Sequence, residues 1–256
     1  MKNYAGNREL IYVHTNEVNH YVLTYGISFR EFYHAFPYLK NLLLLSHQFE
    51  EGNFNLHTLF EYVDEETIGS LVEDDIYSYG DFCWIDFEDE EGVNLLEGYE
   101  IAELLYLSHM KQQLRMPFYR KLNNRFVYLS HDDGWVSKTY YRSFRDFYVL
   151  LGDVIANRMN ELKGEKPFPF ARKKRKSLPD VPVEVLSRLC EKMKEGMLIS
   201  LEFATKTRAK IEVPFWMIGD FHDMDEMYEE YNTISATPID GKIVYDKKNM
   251  EWQIMQ

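Results

Sequence analysis

Three short segments hold the acids and histidines that could bind a metal ion or transfer protons. "HDDG" (131–134) offers His131, Asp132 and Asp133, a set able to ligate a divalent metal or to act in acid–base chemistry. "DFEDEEGVNLLE" (86–97) has acids at several ligand positions of a calcium loop, but its glycine is one position late and its glutamates are long. "DFHDMDEMYEEY" (220–231) begins with acids that the dipole at a helix start favours without catalysis. Asp133-Gly134 likewise suits a tight hairpin turn.

The sequence lacks the motifs of the common enzyme classes. It contains no GxSxG, Walker or GxGxxG motif and no HExxH pair, and Cys83 and Cys190 stand outside any zinc-type spacing. No catalytic residue, cofactor or metal site is therefore predicted. A metal-dependent hydrolase or nuclease built on His131, Asp132 and Asp133 remains the alternative hypothesis.

Charge is distributed very unevenly along the chain. The formal net charge is −13, and from Asn41 to Met110 there are 18 acids and no Lys or Arg. A contiguous anionic face favours docking of a basic protein surface, and aromatics among the acids are typical of contact surfaces. The alternative is a solvated surface that keeps the protein in solution. The predicted partner-binding residues are Asp74, Asp75, Asp81, Trp84, Asp86, Glu88, Asp89, Glu90 and Glu91.

The elements that must position these residues include two similar segments. "SFREFYHAF" (28–36) and "SFRDFYVLL" (143–151) each pair a Ser with an acid three residues later, as in a capping box, and then show an apolar helical stripe. Each follows two strand-like runs, at 9–25 and 124–142. The pattern predicts a ββα unit used twice, unless common capping and stripe patterns have converged.

Further hairpin and helix patterns complete an α+β fold. A strand is predicted at 81–87, helices at 98–114 and 220–232, a hairpin at 196–216, and closing strands at 234–237 and 242–245. The fold class is α+β, with a mostly antiparallel sheet of repeated hairpin–helix units and helices on one face. The predicted organisation is an acidic first unit (1–118), a second hairpin–helix repeat (119–165), a basic Pro-flanked linker (166–182) and a C-terminal helix–hairpin–helix–hairpin unit (183–256).

Composition limits the setting and the partners. The N-terminal segment lacks a signal-peptide core, and the longest leucine run, Leu42 to Leu45, is too short to span a bilayer. A cytoplasmic protein without membrane association is predicted. Five consecutive basic residues, Arg172 to Lys176, suit an exposed linker better than a nucleic-acid patch, because the chain as a whole is acidic. No direct binding of nucleic acid is expected.

One stretch resembles a known group of proteins. "GDFCWIDF" (80–87), with the residues that follow to Phe144, resembles uncharacterised soluble proteins from spore-forming Gram-positive bacteria, some labelled oxalate:formate antiporter. A carrier needs many apolar spans, so that label does not suit this sequence. The resemblance covers about a quarter of the chain. It implies a bacterial source and no active site.

The leading hypothesis is a non-enzymatic interaction protein of the immunity or inhibitor type. Its anionic face would bind a basic protein partner. A purely structural role, including a homodimer formed through an open sheet edge, is the remaining possibility.

Overall fold

The computed structural model describes residues 9–46, 49–74, 76, 79–109, 117–131, 134–162, 177–221 and 224–256. Its strands are β1 (Leu10–Asn16), β2 (Tyr21–Tyr25), β3 (Leu42–Leu44), β4 (Asn53–Phe54), β5 (Glu61–Val63), β6 (Phe82–Asp86), β7 (Phe126–His131), β8 (Val136–Tyr141), β9 (Met197–Ser200), β10 (Thr205–Lys206), β11 (Lys210–Met217), β12 (Gly241–Asp246) and β13 (Glu251–Met255). Its α-helices are α1 (Phe29–Ala35), α2 (Ile68–Glu73), α3 (Glu90–Asn94), α4 (Gly98–Ser108), α5 (Phe144–Glu161), α6 (Val183–Leu186), α7 (Cys190–Lys194) and α8 (Met224–Thr233). The predicted α+β class with mostly antiparallel strand pairing is confirmed.

The chain divides into two compact units. One, the acidic unit, is Asn16–Asp146; the other, the neutral unit, combines Met1–Thr15 with Phe147–Gln256. The acidic unit has 23 Asp and Glu against 10 Lys and Arg, a formal charge of −13, whereas the neutral unit has 19 of each. The sequence-based boundaries at 118, 165 and 182 fall elsewhere and stay predictions. Most of the predicted linker lies outside the described residues.

Antiparallel pairing joins the strands of the acidic unit in the order β2-β8-β7-β6-β3-β5-β4. Helix α1 begins with the predicted capping box: Glu31 N donates to Ser28 Oγ at 3.3 Å, and Ser28 N donates to the Glu31 carboxylate at 2.9 Å. The stripe that follows is buried. Phe29 lies 4.5 Å from Trp84 and Phe32 lies 4.8 Å from Phe126, both measured between ring centroids.

A second layer covers the opposite face of this sheet. Successive side chains of a strand point to opposite faces, so Cys83 and Ile85 point away from the face that Trp84 occupies. They belong to a buried cluster with Val93 from α3 and Leu104 from α4. Helices therefore contribute to both sheet faces of this unit, and the expected confinement of helices to one face is not confirmed.

The second copy of the proposed repeat differs in detail from the first. The order strand, strand, helix occurs in both places, but α5 has 18 residues and α1 has 7. The carboxylate of Asp146 accepts two bonds from the Arg125 guanidinium, at 2.9 and 3.0 Å, instead of completing a capping box. The internal duplication stays a prediction.

In the neutral unit, antiparallel pairing gives the strand order β13-β12-β11-β9-β1, with β10 paired to β11. The helix predicted at 220–232 is α8, and the hairpin predicted at 196–216 is formed by β9 and β11. The strand predicted at 234–237 is wrong, because residues 234–236 form a 3-10 turn, and β12 pairs instead with β13. Among the described residues, no helix combines the length and hydrophobicity needed to cross a membrane.

Close backbone packing at α3 gives a test of this fold. A Cβ atom on Gly92 would lie 2.2 Å from the backbone oxygen of Lys121, whereas one on Gly69 in α2 would meet no heavy atom within 4 Å. We expect Gly92→Ala to lower the free energy of unfolding by about 1–3 kcal/mol because the chain must shift. Gly69→Ala should raise it by up to ~1 kcal/mol through better helix propensity. Urea denaturation measures both, and equal effects would contradict the packing described.

Candidate interaction site

The predicted partner-binding acids do not form one cluster. Asp74 follows α2 and Asp81 precedes β6, whereas the run Glu88–Glu91 follows the far end of β6. A five-residue strand spans about 16 Å, so β6 separates Asp81 from that run. Asp75 lies outside the described residues. The acids that are concentrated in one segment of the sequence thus form at least two separate groups in the structure.

Two predicted contact residues, Trp84 and Asp86, are buried and cannot belong to an open contact surface. Trp84 has no exposed area; it stacks on Phe82 at 4.2 Å between ring centroids and meets Phe29 edge-on. Asp86 is 8% exposed, and its carboxylate accepts the backbone N–H groups of Arg125 and Phe126 at 2.8–3.0 Å. These two predictions are corrected: the alternating aromatic pattern marks a core strand.

Asp86 is held in an environment that opposes its charge. Burial raises the pKa of Asp86 from 3.8 to about 7, while the N–H bonds from Phe126 and Arg125 and the nearby Arg125 charge act in the opposite direction. The calcium-loop interpretation of 86–97 is excluded by the same geometry. Its first ligand position is buried, and α3 occupies its middle.

Basic residues from outside the 41–110 segment offset part of its charge. Lys121 binds the carboxylates of Glu97 and Glu100 at 3.0 and 2.8 Å. Two other pairs join exposed side chains: Lys40 with Glu65 at 2.8 Å and Arg30 with Glu73 at 2.5 Å. Exposed pairs of this kind contribute little stability, so they reduce the local charge without fixing the fold.

An exposed apolar surface lies beside the acids of α3. We call it the apolar patch and define it by four residues with their exposed fractions: Leu56 (83%), Leu59 (70%), Leu95 (59%) and Tyr99 (61%). Two hydrogen bonds join the loop 55–59 to the last residue of α3 and to the segment between α3 and α4. Asn55 Nδ2 donates to Asn94 Oδ1 at 2.9 Å, and His57 Nε2 lies 2.7 Å from the Leu96 carbonyl oxygen.

The loop that presents Leu56 and Leu59 is closely constrained. The Asn55 side chain is 2% exposed, and its Oδ1 accepts the backbone N–H groups of His57 and Thr58 at 3.1 and 2.9 Å. Leu59 has a φ of 60°, in the left-handed region that residues other than glycine seldom occupy. The leucines are thus held in solvent by an ordered loop.

Acids border this patch at helical spacing. Glu91 precedes Leu95 by four residues, with the Leu95 N–H bonded to the Glu91 carbonyl at 3.0 Å, and Glu103 follows Tyr99 by four residues on α4. Side chains four apart are neighbours on a helix surface. The carboxylates of Glu91 and Glu103, both exposed, therefore stand next to apolar patch residues.

The sequence of α4 carries a signal for this patch that its helical period alone does not reveal. Helix α4, GYEIAELLYLS, buries Leu104 and Leu107 but also carries Tyr99 and Tyr106, which are exposed. A surface helix normally keeps one polar face. Apolar residues on both sides of α4 therefore give this helix an exposed apolar side as well as a buried one.

Asp74 belongs to a different feature, an acidic cleft of about 640 Å³. The cleft is lined by Phe49, Glu50, Glu51, Ser70, Glu73, Asp74 and Tyr79. The Tyr79 hydroxyl donates to the Asp74 carboxylate, and Glu73 is paired with Arg30. These acids are partly engaged within the protein itself.

The alternative metal site is not assembled by the residues that the structure describes. His131 Nδ1 lies 3.7 Å from Asp81 Oδ2, while Asp132 and Asp133 fall outside the described residues. Among the described side chains, no group of three or more His, Cys, Asp or Glu could hold a metal ion. The hydrolase hypothesis stays a prediction without a structural observation in its favour.

Comparisons with known proteins give no family. No family model matches the chain, and no curated protein or solved structure matches it.

The buried Asp86 should make the free energy of unfolding depend on pH. Its folded pKa of about 7 exceeds the unfolded value of 3.8, so between these pH values the folded state holds a proton that the unfolded state has lost. Stability from this group is therefore complete below pH 3.8 and falls as the pH rises to 7, with a slope that approaches about 1.4 kcal/mol per pH unit midway between the two values. Asp86→Asn should remove that slope, as measured by urea denaturation from pH 4 to pH 8.

Asp180→Asn is the matched control, because Asp180 is exposed and loses the same charge, whereas Asp81 lies beside His131. We expect its stability curve to run parallel to that of the wild type. If the Asp86→Asn curve is also parallel to the wild type, the carboxyl group is ionised in the folded state throughout and the proposed effect of burial is wrong.

Proposed function

We propose that this chain is a non-enzymatic interaction protein of the immunity or inhibitor type, which binds a basic protein surface through its acidic unit in the bacterial cytoplasm. The observation that carries the proposal is the apolar patch flanked by Glu91 and Glu103. The neighbouring acids Glu88, Asp89 and Glu90 belong to the same end of β6 and the start of α3. Asp74 and Asp81 lie elsewhere and are not needed for this contact.

The arrangement has the anatomy of a protein-binding surface. Energetically dominant contacts are usually buried apolar or aromatic anchors, and charged residues at the rim steer the partner and exclude others. Here the apolar patch supplies the anchors, and the acids supply a rim of one sign. The complementary partner presents apolar side chains flanked by Lys and Arg, as on a basic amphipathic helix.

The charge distribution adds long-range steering to that contact. All of the net charge of −13 belongs to the acidic unit. A field of one sign attracts an oppositely charged partner before contact, and its effect weakens as salt screens it. The neutral unit contributes no net charge to this attraction.

Reversing the charge beside the patch tests the electrostatic part. The probe is a short fluorescent Leu/Lys peptide whose leucines occupy one helical face. We expect Glu90→Lys with Glu91→Lys to weaken its binding about tenfold or more, as followed by fluorescence anisotropy. The control pair, Glu229→Lys with Glu230→Lys on α8, makes the same change in net charge on exposed residues of the neutral unit. If both pairs weaken binding equally, attraction to the total charge explains it and the site is wrong.

Removing the leucines tests the apolar part without changing charge. Leu56→Ser with Leu95→Ser should weaken binding of the same peptide about fivefold or more at about 0.5 M NaCl, where screening suppresses the charge term. Val18→Ser is the control, because Val18 is 89% exposed in the same unit and outside the patch. A permuted peptide of equal composition without an apolar face should bind more weakly to the wild type. Equal binding of both peptides, together with unchanged binding by the leucine variant, would contradict a role for the patch.

A further inference from the structure

The neutral unit contains a small cavity unrelated to the acidic surface. It has a volume of about 260 Å³ and opens on the sheet face of β10, β11 and β12. This volume lies just below the ~300–1,000 Å³ of pockets that take drug-sized ligands, so a smaller molecule suits it. The residues that determine its chemistry are Phe203, Glu212, Trp216, Ser235, Lys242 and Ile239.

The floor of the cavity carries one acid and one base in contact. Glu212 and Trp216 on β11 are an even number of residues apart, so their side chains share one face of the sheet. Pro214, which lies between them on β11, pairs with Lys242 on β12. Lys242 Nζ lies 2.6 Å from Glu212 Oε2, with side-chain exposures of 34% and 24%. Both charges are thus partly shielded from water yet open to the cavity.

The walls are apolar and held in place. Phe203 packs edge-on against Trp216, with ring centroids 5.8 Å apart, and Trp216 Nε1 donates to the Thr237 carbonyl at 3.2 Å. Phe203 and Ile239 remain 39% and 44% exposed, whereas Trp216 is 3% exposed. Trp216 therefore fixes the wall, and Phe203 and Ile239 are left to contact a ligand.

We propose that this cavity binds a free amino acid with an apolar side chain. An α-ammonium group meets the Glu212 carboxylate, the adjacent α-carboxylate meets the Lys242 ammonium, and the side chain packs on Phe203 and Ile239. A zwitterion satisfies both charges at once, whereas an anion or a cation pairs with one and is repelled by the other. The existing ion pair is partly exposed, so opening it to admit the ligand costs little.

The test uses the full chain with defined ligands in calorimetry and thermal-shift assays. L-leucine and L-phenylalanine should bind and raise the melting temperature. Two partial ligands should bind at least about tenfold more weakly than L-leucine. N-acetyl-L-leucine amide has the side chain without the two charges, and glycine has the two charges without the side chain. Glucose is included because aromatic walls with a nearby acid also suit sugars.

The variants separate the two halves of the recognition. Lys242→Ala and Glu212→Gln should each weaken leucine binding about tenfold, and Phe203→Ala tests the wall independently should either charge variant fail to fold. Lys194→Ala is the control, because Lys194 also pairs with a glutamate, Glu191, at 2.8 Å but lies on α7 away from the cavity. Four results would each overturn the proposal: equal binding of the capped amide, binding of glucose alone, unchanged binding of leucine by the variants, or no binding of any amino acid. None of these results depends on the acidic unit, so failure here leaves the proposed partner-binding function intact.

Discussion

The contact between the aromatic stripe of α1 and the strands β6 and β7 determines the arrangement of the acidic unit. Phe29 and Phe32 pack within 4.5–5.3 Å of Trp84, Phe126 and Tyr128, measured between ring centroids. Because strand side chains alternate, placing Trp84 under α1 directs Cys83 and Ile85 to the other face. That face needs its own cover, and α3 and α4 supply it with Val93 and Leu104. The outer side of α4, with Tyr99, is left in solvent as a consequence.

The buried acids of this unit are bonded within the fold, whereas the exposed acids remain in solvent. Asp86 ends β6 and accepts the N–H groups of Arg125 and Phe126, so it fixes where β7 begins. The Arg125 side chain in turn binds Asp146, and its guanidinium lies 3.7 Å from the Tyr38 ring centre. A count of acids along the sequence cannot distinguish these carboxylates from those of Glu91 and Glu103, because the difference is made by strands that lie far away in the chain.

Local patterns predicted the elements that are defined by neighbouring residues. The Ser28 capping box and the Phe29–Phe36 stripe gave α1, and alternating apolar runs gave β7 and β8. The short strands β3, β4 and β5 have two or three residues each, too few for a period to emerge, and they form only by pairing with each other and with β6. The prediction that Trp84 belongs to an exposed contact surface is wrong for a related reason. Alternation shows that a strand has two faces, but it does not show that α1 covers one face and that α3 and α4 cover the other.

The electrostatics on which the proposed basic partner depends oppose pairing of the apolar patch with a second copy of the chain. A homodimer through the apolar patch would bring Glu91 and Glu103 of two molecules together, each carried by a unit with a formal charge of −13. Like charges at an interface cost free energy unless bases from the partner offset them, and the bases near this patch, such as Lys121, already bind Glu97 and Glu100. In a homodimer, repulsion between the acids at the rim therefore offsets the free energy gained by burying the leucines. A partner that carries Lys and Arg around an apolar centre would gain free energy from both the ion pairs at the rim and the apolar burial.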